Sequence, residues 1–172
     1  MHRGDRTDVS ADLPELARTP IIVVCSGAKI VLDLPATREW LETFGVTVLG
    51  WQCDEFPAFY SRSSGLAIDA RVDTGKEAAK IADARNDWGF TSTLLVTVPV
   101  PEAHEIKTSE LEPILLESLK LAKDQGIKGK EITLFLLSQL CERSEGRTLN
   151  ANIALLENNA RVASEIARSL NY

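Results

Sequence analysis

Hydrophobic and polar positions along this chain switch between two periods. Ile21-Ile22-Val23-Val24 is a continuous β-rich run, Val46 to Trp51 repeats the pattern, and Thr93 to Val98 is a third. Buried strands are therefore expected near 21–24, 46–51 and 93–98. Between them the spacing becomes helical. "PATREWLETFG" places Trp40, Leu41 and Phe44 on one face, with Pro35 near its start and Gly45 as its stop, and Thr74 to Trp88 mixes alanines with charges as a helix does. Upstream, Ser10 is expected to cap a short helix through "ADLPELAR", with Asp12 in its first turn and Pro14 tolerated early. After the turn at Gly27, "KIVLDL" also reads as a short helix, which puts Lys29 at a helix entrance. The stretch Gln52 to Ser64 has neither period; it carries Phe56, Pro57, Phe59 and Tyr60 and suits an active-site or interface loop.

A proline-rich connection, "PVPEAHEIKTS", leads into a helical C-terminal third. Leucines 111, 115, 116 and 119 mark one helix to about Gln125, and "EITLFLLSQLCERS" and "LNANIALLENNARVASEIARSL" mark two more on either side of a turn at Gly146. Strands alternating with helices imply an α/β fold, a mainly parallel sheet flanked by helices. Three strands make a thin sheet, so an incomplete version of a larger fold is expected: part of the sheet is missing, or a partner supplies it. A length of 172 residues with 44% hydrophobic content suits a single domain over residues 1–172.

Charge and cysteine usage narrow the function classes. A net charge of −6 without a lysine or arginine cluster argues against a general nucleic-acid binder, while a small-molecule phosphate stays possible. Cys25, Cys53 and Cys141 form no CxxC pair, which disfavours a disulfide framework or zinc site and fits a reducing cytoplasm. No apolar run approaches the roughly 20 residues that span a bilayer, and the N-terminus is polar, so no membrane partner is expected.

Lys29 is the residue whose placement asks for a reason, because an ammonium at a helix start opposes the helix dipole. It either snorkels to water beside a structural turn or is a reactive amine. Asp8, Ser10 and Asp12 likewise read two ways: as a solvated loop acid, an N-cap and a first-turn acid, or as ligand-binding groups. The tryptophans at 40, 51 and 88 read as core, and His104 as a solvent-exposed loop residue.

The blocks "HRG", "DVSADLPELART", "VVCSGAK", "REWLETFGV", "PAFYSRSS" and "LNANIALLENNARVASEIA" resemble, in order, the C-terminal half of the pseudouridine-5'-phosphate glycosidases, the indigoidine synthase A-like family. The resemblance covers nearly the whole chain. It implies cleavage of the C–C glycosidic bond of pseudouridine 5'-phosphate to uracil and ribose 5-phosphate, with a divalent metal, usually manganese, and a homotrimeric assembly. The family's nucleophilic lysine lies in a C-x-G-A-K block, here Cys25 to Lys29. Ordinary two-carboxylate glycosidase chemistry needs a leaving oxygen to protonate, which a C–C bond lacks. An amine that forms an imine with C1' of an opened ribose offers another route, and it must be neutral to do so. Asp8 matches the family's metal ligand, a hard oxygen donor suited to manganese or magnesium. Ser10, Ala11 and Asp12 match the substrate-contacting S-A-D triplet, and Asn152 matches a substrate asparagine. Asn158 and Asn159 fall in the same block and suit helix–helix hydrogen bonds equally. His2 matches the histidine of H-R-G, although two residues of the usual spacing to "DVSAD" are deleted.

Full-length family members carry a comparably large N-terminal half, which holds the general-acid glutamate, a further substrate lysine and most phosphate-binding groups. The expectation for this chain is therefore a fragment or split-gene product completed by a separately encoded half, or a truncated, non-catalytic homologue. A different Schiff-base lyase acting on a sugar phosphate is the remaining enzymatic alternative.

Overall fold

The computed structural model describes residues 10–128 and 130–170. In chain order the elements are α1 (Leu13–Leu16), β1 (Ile22–Cys25), α2 (Leu34–Thr43), β2 (Thr47–Trp51), β3 (Ala70–Val72), α3 (Gly75–Asp87), β4 (Leu94–Thr97), α4 (Thr108–Asp124), α5 (Lys130–Arg143) and α6 (Arg147–Ser169). One 3-10 turn, Glu102–His104, sits in the proline-rich connection. The α/β reading holds, with a parallel sheet, flanking helices and a helical C-terminal third.

The strands lie in the order β1-β4-β2-β3, all parallel, with Ile22 and Thr47 both opposite Leu94 and Leu49 opposite Ala70. Central β4 is buried at all four residues, as a parallel strand covered on both faces requires. Its alternating side chains separate two layers. Leu94, Val96 and Val98 join Leu49 and Trp51 against Ala78 and Ala82 of α3 and Val162 and Ile166 of α6. Leu95 and Val48 face the other way, onto Leu13, Leu41, Val46 and Phe56. A further core, built from Leu111, Leu115, Leu136, Leu140, Ala151 and Leu155, joins α4 and α5 to the N-terminal half of α6. Helix α6 thus ties the helical third to the sheet.

Local chemistry starts two helices. Thr74 and Glu77 form a reciprocal capping box on α3, and the Asp33 carboxylate accepts from the Ala36 N–H at 2.9 Å to open α2, with Pro35 in its first turn.

Four expectations need correction. The "KIVLDL" helix does not form. Leu32 N–H donates to Lys29 O at 2.8 Å to close a single turn, and Asp33 is then extended as the cap of α2, so helical geometry cannot run through. Lys29 therefore sits on a turn, and the helix-dipole argument for it falls away. Ser10 is not the cap of α1; Asp12 occupies that position, and Ser10 Oγ instead accepts from the Asp12 N–H at 3.2 Å in a local side-chain turn. Strand β3 adds a fourth strand to the three expected; it is only three residues long and buries Val72 alone. Trp88 is 78% exposed and stacks on Phe90, whereas Trp51 is core as read and Trp40 is half-buried.

Candidate active site

The site grows from the end of β1. A parallel sheet opens a crevice at the carboxyl ends of its strands where adjacent connections diverge, and here β1 leads away through α2 to β2 while β4 fills the place between them. Cys25 ends β1, and Ser26, Gly27 and Ala28 carry the chain over that edge to Lys29.

The turn is gripped by the irregular loop after β2. Gly27 pairs with Ala58 in an isolated antiparallel bridge, and the Phe59 N–H donates to Ser26 O at 3.1 Å. Gly27 has φ +84°, and a Cβ there would lie 1.8 Å from the Pro57 carbonyl oxygen, so only glycine permits this approach. Phe59 itself has φ +62°, an unusual conformation for a bulky aromatic residue.

The loop is braced in turn. The Glu105 carboxylate accepts from the Arg62 N–H at 2.9 Å, and Arg62 Nη1 donates to Val100 O at 2.7 Å. Glu55 accepts from the Gly65 N–H at 2.8 Å, the Ser64 N–H at 3.1 Å and the Ser63 hydroxyl. The Ser63 hydroxyl, then those amides, hold the Glu55 carboxyl below its usual value.

Against this turn lies a pocket of about 650 Å³. Ser10, Ala11, Asp12 and Lys29 line it together, with Val23, Cys25, Phe56 and Phe59 as apolar walls and Thr133 of α5 at the side. Lys29 is exposed and is the only lysine among the described lining residues. Four of the six residues singled out from sequence are therefore brought together. Asn152 is half-buried on α6 and is not among the lining residues, and Asp8, like His2, lies outside the described residues. Burial pushes the Cys25 thiol up to about 11, which keeps it neutral and poorly nucleophilic at neutral pH. The pocket thus brings an amine together with apolar walls and the polar residues Ser10 and Asp12.

One group at the site is read from the sequence only in part, and another escapes it. Phe56 and Phe59 stand out only as loop aromatics, and their place in the wall depends on a backbone conformation that no pattern reveals. Ser26, 2% exposed, donates from Oγ to Asn159 Oδ1 at 3.0 Å, joining the lysine turn to α6 across 133 residues. A signal for this pair does exist: Asn159 stands among Leu155, Val162 and Ile166 on the buried stripe of α6, where a polar residue requires a partner.

Among the described residues, no group of three or more His, Cys, Asp and Glu side chains could hold a metal ion, and no helix is long and apolar enough to cross a membrane.

Comparisons with known proteins agree with this picture. A pseudouridine-5'-phosphate glycosidase of Caldanaerobacter subterraneus is 47% identical over 99% of this chain, and one of Symbiobacterium thermophilum is 50% identical over 95% of it. The matched regions are 56% and 53% of those proteins, so the chain spans about half the length of the relatives it matches. Two solved structures share the fold. The indigoidine synthase A-like protein of Thermotoga maritima has a TM-score of 0.85 at 43% identity, covering 94% of this chain and 53% of that one. Prealnumycin C-glycosynthase AlnA, solved in complex with ribulose 5-phosphate, has a TM-score of 0.88 at 34% identity, covering 96% and 55%. The family described as indigoidine synthase A like protein matches residues 1–169. With fold and sequence in agreement over nearly its whole length, this chain belongs to the indigoidine synthase A-like family.

Proposed function

We propose that this chain carries the nucleophile-bearing part of a site that cleaves the C–C glycosidic bond of pseudouridine 5'-phosphate, releasing uracil and ribose 5-phosphate. The observation that carries the reading is the shared pocket: Lys29 and residues 10–12 converge on one cavity with two phenylalanines in its wall. Relatives named for this activity, and a C-glycosynthase neighbour solved with a sugar phosphate, support it.

The chemistry can be written in balanced steps. The neutral Lys29 amine attacks C1', and the bond from C1' to the ring oxygen opens, that oxygen taking a proton. The nitrogen lone pair then forms the C=N bond while the bond to the uracil carbon breaks, and uracil takes a proton at that carbon. Water hydrolyses the imine to ribose 5-phosphate and restores the amine. Val23, Phe56 and Phe59 form the apolar wall of the pocket that Lys29 also lines. Ser10 to Asp12 orient the substrate from the rim, and Asn152 is assigned to the same substrate by its match to the family block.

A divalent metal, manganese or magnesium, belongs to the proposal through Asp8. The described residues supply no three-ligand cage, so water would complete the coordination of a hard cation there. Such an ion would contribute charge neutralisation near the phosphate-bearing substrate. The general acid that protonates the departing uracil is assigned to the half of the relatives that this chain does not match, in a homotrimeric cytoplasmic assembly.

The test is uracil release from pseudouridine 5'-phosphate, measured for this chain alone and combined with the remaining half of a full-length relative. Lys29→Ala should abolish release while substrate still binds. Lys29→Arg should fail equally, because a guanidinium keeps the charge but does not deprotonate at usable pH. Turnover by the arginine variant would contradict the imine reading.

A further inference from the structure

We propose that Ser26 and Asn159 act as one positioning unit for Lys29, holding the lysine turn in register with the pocket from the middle of α6. The inference rests on the lysine reading above and adds residues to it. Three observations carry it. First, the pair is buried, at 2% and 9% exposure, with Oγ to Oδ1 at 3.0 Å. Burying a serine hydroxyl and an asparagine amide costs desolvation, which the hydrogen bond between them offsets, so loss of either partner leaves the other unsatisfied.

Second, the bond is made three residues before Lys29, just after β1 and its pairing with β4 have ended. Third, the other restraints act on the backbone and come from a different element: the Phe59 N–H donates to Ser26 O, and the Pro57 carbonyl abuts Gly27. The Ser26 side chain thus points to α6 while its backbone is held by the 56–59 loop. With both in place the turn is clamped between two elements; without Asn159 only the loop side remains.

Helix α6 is a suitable anchor. Val162 and Ile166, one and two turns beyond Asn159, are buried in the sheet core, and Leu155, one turn before it, is buried in the helical core. The asparagine therefore sits on a rigid segment whose position is set by both cores. Neither Ser26 nor Asn159 lines the pocket, so their effect on the reaction must pass through Lys29.

The experiment is a double-mutant cycle on Ser26→Ala and Asn159→Ala. The rate of borohydride-trapped adduct at Lys29 is followed against ribose 5-phosphate concentration, with thermal unfolding measured alongside. Each single variant should lower the maximal trapping rate by roughly 10- to 100-fold, the range for small misplacement of a reacting group. The half-saturating concentration should stay within about twofold of the parent value, since substrate contacts are untouched. The double variant should be no worse than the worse single variant.

Unchanged rates, multiplicative losses, or losses that follow the unfolded fraction alone would overturn the proposal. If Asn159→Ala does not fold, the rate and half-saturation of Ser26→Ala decide. If the parent chain forms no Lys29 adduct, the imine reading fails on its own. Positioning is then read from acylation of Lys29 by a small active ester relative to surface Lys76. A changed ratio in Ser26→Ala upholds the positioning role, and an unchanged ratio overturns it.

Discussion

Gly27→Ala puts the geometry of the lysine turn to a quantitative test. The added Cβ would meet the Pro57 carbonyl oxygen at 1.8 Å and the Pro57 carbonyl carbon at 2.9 Å, and the residue has φ +84°. Relief of the first contact requires the two backbones to part by about 1.5 Å, which breaks the approach that joins the 56–59 loop to the turn. The left-handed conformation alone costs a Cβ-bearing residue about 1 kcal/mol, and forced displacement in a packed region adds about 1–3 kcal/mol, giving about 2–4 kcal/mol in all. Gly65 provides the internal control. It has φ +75°, but a methyl group there would meet nothing within 4 Å, so Gly65→Ala should lose only the conformational part, about 1 kcal/mol. In thermal unfolding followed by circular dichroism, these costs correspond to roughly 5–15 °C for Gly27→Ala and 2–4 °C for Gly65→Ala in a chain of this size. Equal shifts for the two variants would refute the close approach.

Three further outcomes follow from the same geometry. Cys25 lines the same pocket as Lys29 yet is not a nucleophile: near neutral pH it should alkylate roughly a hundredfold more slowly than a free thiol. Its folded value of about 11 lies above the ordinary 9.0, so the stability it contributes is full below 9 and lost as pH rises toward 11; Cys25→Ala should flatten that part of the denaturation profile. Glu55 behaves in the opposite sense, because its depressed value makes its stabilisation present above the ordinary 4.5 and lost as pH falls through the folded value. Hydrogen exchange at the Ser64 and Gly65 amides should therefore lose protection on acidification, and Glu55→Gln should remove that dependence. Ile166→Ala, in the sheet core, should cost about 2–5 kcal/mol in urea unfolding, and a loss below about 1 kcal/mol would contradict its burial there.

What is legible in the sequence divides along physical lines. Strands β1, β2 and β4 are readable because each is a largely apolar run within the sheet, and α3 because alanines and charges alternate from Thr74 to Trp88 as in a helix. Strand β3 is not, since a three-residue strand paired on one side to β2 carries no period. The turn at Lys29 reads as a helix because "KIVLDL" has helical spacing, while Asp33, which ends that possibility by capping the next helix, looks like any polar residue in the pattern. The lysine itself is legible only through the family block, since turn lysines are common. Phe59 and the Ser26 to Asn159 bond depend on tertiary approach across the 56–59 loop and across 133 residues, which local patterns do not encode. Hydrophobicity alone would place Trp88 in the core, yet its position at the end of α3 leaves it exposed.

The central claim is that Lys29 forms an imine with C1' of a five-carbon sugar phosphate. It is tested most directly by incubating the chain with ribose 5-phosphate, reducing with borohydride, and locating the adduct by peptide mass spectrometry. The account predicts a single adduct, of the mass of the sugar phosphate joined through a reduced imine, on the peptide containing Lys29, and its loss in Lys29→Arg. An adduct spread over surface lysines such as Lys76 and Lys120, or one that persists unchanged in Lys29→Arg, would contradict it.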